Sequence, residues 1–269
     1  MRNEWMNPDN LSFSSEADQV LFYRHKKAYN RVVELVKNKE VLELGCGSGF
    51  GTNILSKYVK SLSAVDRDKK ALDRAKANNE GVDFYDADII IDGLPFENDR
   101  FDAVIAFQVF EHIHPDNSLK FLDEISRVLK KGGIFYLTTP NRKTRLYPFQ
   151  KPTNKYHMIE YTANTLSDVL SKVYSKVDLT GLRAQLEIEK IERKRAKGTA
   201  FNAYIRNPFR KSVIKIFGSV PIKKNSTNNT DSKTKVQENE FIKKITEDDF
   251  HFSNDDLNKS IDFFAACTK

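Results

Sequence analysis

Cysteine is scarce in this chain of 269 residues, which holds only Cys46 and Cys267. Two thiols are too few for a disulfide framework, and they form no metal-binding spacing. A reducing, cytoplasmic setting and no bound metal are therefore expected. Long apolar runs are missing as well. No stretch of about 18 apolar residues occurs, so no membrane-spanning helix is expected. The opening MRNEWMNPDN has no apolar signal core. No internal repeat is visible. The length suits one large domain, or one domain with an insertion.

Charge is present but uneven. The net charge is +7. Between Ala184 and Lys224 stand eleven Lys and Arg against Glu187, Glu189 and Glu192, so this segment carries +8 and the rest −1. A nearly neutral core thus bears one strongly basic excursion. Within 201–224, Phe209, Val213, Ile214, Ile216, Phe217 and Val220 alternate with bases, as in helices that lie on membrane surfaces. An anionic membrane surface is the favoured partner. Nucleic acid is the second reading, since Phe201, Tyr204, Phe209 and Phe217 interleave with bases that could follow phosphates. A merely solvated excursion is the third. Residues 223–238 are polar and read as a loop.

Apolar periodicity organises the remainder. Phe22, Ala28, Val32, Val33, Leu35 and Val36 recur at helical spacing within 13–37. Strands are then predicted at 41–45, 61–66, 82–86, 102–107, 134–139 and 175–182. Helices are predicted between them at 49–58, 69–79, 117–131 and 162–172. A last apolar run covers 261–267. Such alternation implies an α/β fold, doubly wound, with a parallel sheet and helices on both faces. Ligands of such sheets bind beyond the carboxyl ends of the strands.

The most informative stretch is VLELGCGSGFGT, residues 41–52. An apolar strand carrying one acid, Glu43, breaks into glycines at 45, 47, 49 and 51. Glycine accepts a positive φ and lets backbone approach a ligand closely. Asp66 closes the next apolar run about 20 residues on, where a carboxylate can grip a ribose diol. An adenosine-containing cofactor is implied. The dinucleotide fingerprint fails, because its third glycine would fall at Phe50, and no Gly-Lys-Ser/Thr follows to cradle phosphates.

What remains resembles the class I S-adenosylmethionine (SAM) methyltransferases, whose first motif is acid-x-Gly-x-Gly-x-Gly. Glu43, Gly45, Gly47 and Gly49 match it. The likeness extends over DFYDADI at 83–89, FDAVIAFQVFEHI at 101–113 and GGIFYLTTPNR at 132–142. It implies that SAM is the cofactor and that Glu43 engages its ammonium group. Asp88, with Asp86 as alternate, would meet the adenine amino group. Cys46, Arg67, Ile89, Phe107 and Tyr29 would complete the cofactor contacts. The resemblance also implies a seven-stranded, mostly parallel sheet with an antiparallel last strand, and a basic helical insertion between the last two strands. The corresponding division is a SAM-binding core at 1–183, an insertion at 184–255 and a returning strand at 256–269.

Methyl transfer from a sulfonium is an in-line displacement, so alignment supplies much of the rate. A base is needed for a hydroxyl or protonated amine acceptor. His112, after Glu111, reads either as that base or as an imidazole held by Glu111 to shape the loop. His157, in NKYHMIEYT with Glu160 and Tyr161, reads either as an acceptor-site residue or as part of a helix entry capped by Thr162. His114 reads as a helix-entry residue, and His25 as part of a solvated helical face. FQVFEH stands where an Asn-Pro-Pro-Tyr motif would mark attack by a base amine, and no Cys stands there for covalent cytosine chemistry. The expected function is methyl transfer to a hydroxyl or amine of a small molecule, a glycan or lipid-linked precursor, by a cytoplasmic enzyme peripheral to the membrane. An RNA methyltransferase and a non-catalytic SAM-fold binding protein are the alternatives.

Overall fold

A computed structural model describes residues 16–148, 150–152, 154–190, 192–193 and 245–269. The expected membrane-facing segment 201–224 and the polar loop 223–238 lie outside these residues. Helix α1 (Glu16–Val36) precedes β1 (Glu40–Leu44), α2 (Phe50–Leu55), β2 (Ser61–Asp66), α3 (Lys69–Asn78) and β3 (Asp83–Asp86). There follow β4 (Phe101–Phe107), α4 (Ser118–Val128), β5 (Leu129–Pro140), α5 (Arg142–Arg145) and α6 (Ala163–Leu170). Strands β6 (Lys176–Ala184), β7 (Phe250–Ser253) and β8 (Asp262–Thr268) complete the fold.

The strands form one sheet in the order β3-β2-β1-β4-β5-β8-β6-β7. β3, β2, β1, β4 and β5 pair in parallel, whereas β8 runs antiparallel to both β5 and β6. The central strands read as continuous apolar runs because each is covered on both faces. On one face Val41, Ile105, Phe107 and Phe264 meet Val32, Val33 and Val36 of α1. On the other, Leu42, Val104, Phe135 and Phe263 meet Phe121 and Ile125 of α4 and Leu166 of α6. Each such large side chain, fully buried, contributes about 1.5–3 kcal/mol.

The helices start where the sequence supplies caps. Asp68 accepts from the backbone N–H of Lys70 and Ala71 to open α3. Thr162, one reading of which was a helix cap, forms a reciprocal capping box with Thr165 at α6. His114 accepts from Asp116 N–H at the entry of a short 3-10 turn. Helix α1 is tied to β8 by an ion pair, Arg24 Nε to Asp262 Oδ2 at 3.0 Å, with both side chains nearly inaccessible.

Three expectations need correction. The sheet has eight strands, not seven, and the additional one lies inside the expected insertion 184–255. Phe250 and Phe252 of β7 alternate with His251, so one edge of this short strand packs inward, with Phe250 against Val20, Leu182 and Ile188. The helix expected at 117–131 ends at Val128, so the Gly-Gly pair at 132–133 lies beyond it, inside β5. It sits in a register shift of β5, where Phe101 faces Leu129 but Ala103 faces Ile134, and Gly132 takes φ +75°. His25 is half-buried rather than on a solvated face: its Nδ1 lies 2.7 Å from the Leu21 carbonyl, and burial with the Arg24 charge pushes its pKa down.

Candidate functional site

β1 and β4 are neighbours whose onward connections run to opposite sides of the sheet. Their carboxyl ends therefore flank the topological switch point, where an open α/β sheet leaves a crevice. The glycine loop, residues 45–49, leaves β1 at this point. Gly45, Gly47 and Gly49 adopt φ of +68°, +55° and +88°, values that side chains rarely tolerate. Space is equally tight. A Cβ on Gly45 would fall 2.5 Å from the Val109 side chain, and one on Gly51 would fall 2.0 Å from the Tyr29 ring. The loop is thus pressed against the exit of β4 on one side and against α1 on the other.

Its amides are organised by β2. Gly45 and Cys46 donate to the Val65 carbonyl, and Gly47 donates to Asp66 Oδ2 at 2.8 Å. Asp66 Oδ1 accepts from Asp68 N–H at 2.8 Å. Asp66 therefore braces the turn from its expected position beside it, and burial raises its pKa. Cys46 is a small buried residue whose thiol burial keeps protonated.

Glu43 is the second acid. It is 1% exposed and accepts from the Tyr29 hydroxyl at 2.8 Å and from the Thr52 hydroxyl at 2.5 Å. Burial pushes its pKa up to about 7, although both hydroxyls favour the charged form. Among the described residues no Lys or Arg forms an ion pair with Glu43 or Asp66. Two buried carboxylates beside a glycine turn, with no cation of their own, suit a positively charged ligand and would repel a phosphate. The ammonium and sulfonium of SAM fit that donor set.

The other expected contacts are distributed unevenly. The Tyr29 and Phe107 rings meet at a tilt, with centroids 4.9 Å apart, beside the loop, so both border the site. Arg67 and Asp88 pair with each other at 3.2 Å, at the ends of β2 and β3. Asp88 also accepts from Ile90 N–H, whereas the alternate Asp86 pairs with Lys69. Ile89 packs against the core on the α4 side, not against the loop.

The exit of β4 holds the polar groups. Gln108 sits at φ +57°, a strained value for this residue, and its amide donates to Thr138 Oγ1. Glu111 is fully buried and accepts from Thr139 Oγ1 at 3.0 Å, and burial raises its pKa to about 7. His112 is not held by Glu111: its Nδ1 lies 3.0 Å from the Tyr156 carbonyl. His157 pairs through Nδ1 with Glu160 at 2.9 Å, and Arg145 reaches the same carboxylate at 3.2 Å. Tyr161 leaves this cluster and stacks on Phe110 instead. Met158 and Ile159 N–H both bond the Glu111 carbonyl, which docks the 157–159 segment on the β4 exit. The His112 and His157 rings consequently meet edge to face at 4.9 Å. Sequence reasoning missed Thr52 and Thr139, whose only signal was a hydroxyl near a motif acid.

Comparison with known proteins agrees with this geometry. Residues 42–137 match the family described as a methyltransferase domain. A protein of Mycolicibacterium smegmatis named as a probable S-adenosylmethionine-dependent methyltransferase is 31% identical over 159 residues, 59% of this chain and 60% of its own length. A fatty-acid O-methyltransferase of the same organism is 31% identical over 129 residues, 46% of either chain. The chain thus spans about half to three fifths of the length of these curated relatives. The structure of a SAM-dependent methyltransferase from Archaeoglobus fulgidus shares the fold, with a TM-score of 0.53, 15% identity and coverage of 92% of this chain and 94% of that one. With its glycine loop, two buried acids and switch-point crevice, the chain matches the methyltransferase-domain family over residues 42–137 and is similar there to SAM-dependent methyltransferases.

Proposed function

We propose that the protein transfers a methyl group from SAM to a hydroxyl or amine of a small molecule, with a glycan or lipid-linked precursor as the acceptor class. The observation that carries this reading is the position of the two histidines. Val109 touches the glycine loop, and three residues on His112 meets His157 at the end of the same strand exit. A hydroxyl or ammonium acceptor placed there would find imidazoles within reach of its proton.

SAM, when bound, supplies a methyl carbon already activated by a positive sulfur. Glu43 holds the ammonium end, and Asp66 keeps the loop closed against the ribose. Tyr29 and Phe107 exclude water from one side. Tyr156 and Met158 are exposed apolar side chains next to the histidine pair, a surface suited to an acceptor with an apolar portion. The fatty-acid O-methyltransferase among the relatives acts on an acceptor of that kind, and this supports oxygen ahead of nitrogen.

The test is incubation with methyl-labelled SAM and a panel of hydroxylated lipids, lipid-linked saccharides, amines and RNA. Label in a lipid or glycan fraction, lost in Asp66→Ala, is expected. Label in RNA alone would replace this acceptor class with nucleic acid.

A further inference from the structure

The exit of β4 carries more than methyl transfer from a sulfonium requires. Glu111, His112 and His157 bring one ligand-capable atom each to within 4.8 Å of one another. Glu111 spends one carboxylate oxygen on Thr139, while the other, Oε1, is buried and has no hydrogen-bond partner among the described residues. Such an atom is costly to bury. It is explained when a group from outside the polypeptide completes it.

The two imidazoles are set to match. Nδ1 of His112 faces the Tyr156 carbonyl and Nδ1 of His157 faces Glu160. Carbonyl and carboxylate only accept, so each ring is anchored as a donor through Nδ1, which makes Nε2 its other ligand-capable nitrogen. A ring anchored through one nitrogen on a carbonyl or carboxylate is the supporting arrangement of a metal-binding histidine. Cysteine and histidine spacing in the sequence gave no hint of it, because His157 stands 45 residues beyond His112. Only the docking of Met158 and Ile159 N–H on the Glu111 carbonyl unites them.

We propose that Glu111, His112 and His157 bind one divalent first-row transition-metal ion of the Zn²⁺ class, leaving open positions that hold the acceptor oxygen. Two imidazoles and a carboxylate suit such an ion; Mg²⁺ and Ca²⁺ take oxygen ligands. Ligands about 2.1 Å from a common ion stand roughly 3 Å apart, so the three side chains draw in by about an ångström on binding. With the imidazole lone pairs engaged by the ion, the ion takes over their part in the proton chemistry: it polarises the acceptor hydroxyl and lowers its pKa. The proton leaves to solvent and an oxygen lone pair bonds the methyl carbon. The C–S electron pair returns to sulfur, giving S-adenosylhomocysteine. This last role rests on the methyl-transfer reading above; the ion site itself does not.

The test uses the untagged, metal-free chain, titrated with Co²⁺ as a spectroscopic probe. Visible absorption saturating at one equivalent and displaced by Zn²⁺ is expected. Glu111→Gln and His157→Ala should each weaken Co²⁺ binding at least ~100-fold. Since Glu111 is buried, His112→Gln serves as a further variant, and circular dichroism together with SAM binding reports the fold of each. No absorption in a chain that binds SAM, or a titration unchanged in all three variants, overturns the ion site and leaves the methyl-transfer reading standing. Ligand-dependent Co²⁺ uptake in a folded chain that ignores SAM supports the site and overturns that reading instead. Displacement of Co²⁺ by Mg²⁺ as readily as by Zn²⁺ would refute the assigned class of ion.

Discussion

Glu43 shows how one residue links the fold to cofactor chemistry. Its pKa rises from 4.5 to about 7 because burial penalises the anion. Between those values the folded chain holds a proton that the unfolded chain has released. Stability therefore falls as pH rises through this window, and the full penalty stands above about pH 7. Glu43→Gln should raise unfolding free energy at pH 8 by up to about 3 kcal/mol, and by much less at pH 5. Chemical denaturation at both pH values checks it; equal effects would deny that the site is strained by buried charge. On the proposed reading the same substitution weakens SAM binding, and wild-type affinity drops about tenfold per pH unit between pH 7 and 5.5 as Glu43 takes up its proton. At this scale the sequence was informative where type and spacing suffice: Glu43, Asp66 and the three left-handed glycines stand together as the motif implied. It was silent on Thr52, Thr139 and the unpaired oxygen of Glu111, because a hydroxyl's partner depends on which strands become neighbours.

Elements were legible in proportion to their burial. The central strands and α1, α3, α4 and α6 announce themselves through unbroken apolar runs or helical periodicity, and each lies within a few residues of its expected place. Strand β7 does not, since four residues with a histidine and a serine make no pattern, and its inward edge is decided by what β6 offers. The length of β5 was also hidden, because glycines in a bulge and glycines at a helix end look alike in a sequence. The packing of α1 on the sheet depends on a feature of tertiary origin, the Arg24–Asp262 ion pair. Arg24→Ala leaves the buried Asp262 carboxyl without its partner in the interior, where such a loss costs about 3–5 kcal/mol. A large fall in the denaturation midpoint is expected, and Arg24→Met combined with Asp262→Leu should recover much of it. A midpoint unchanged by Arg24→Ala would show that α1 is held by its apolar face alone.

Across the whole molecule, a nearly neutral sheet domain carries a segment of charge +8. The chain returns from beyond that segment to place β8 between β5 and β6, so the residues before and after it form one sheet. No helix among the described residues is long and apolar enough to cross a membrane. The methyl-transfer reading depends on SAM entering the crevice between β1 and β4. Isothermal titration of the purified chain with SAM at pH 7.5 tests that most directly. One site per chain is predicted, with S-adenosylhomocysteine competing for it and Asp66→Ala weakening it at least ~10-fold, or about 1.4 kcal/mol. A folded chain that takes up neither compound, or one that binds SAM equally well with Asp66 replaced, would contradict the account.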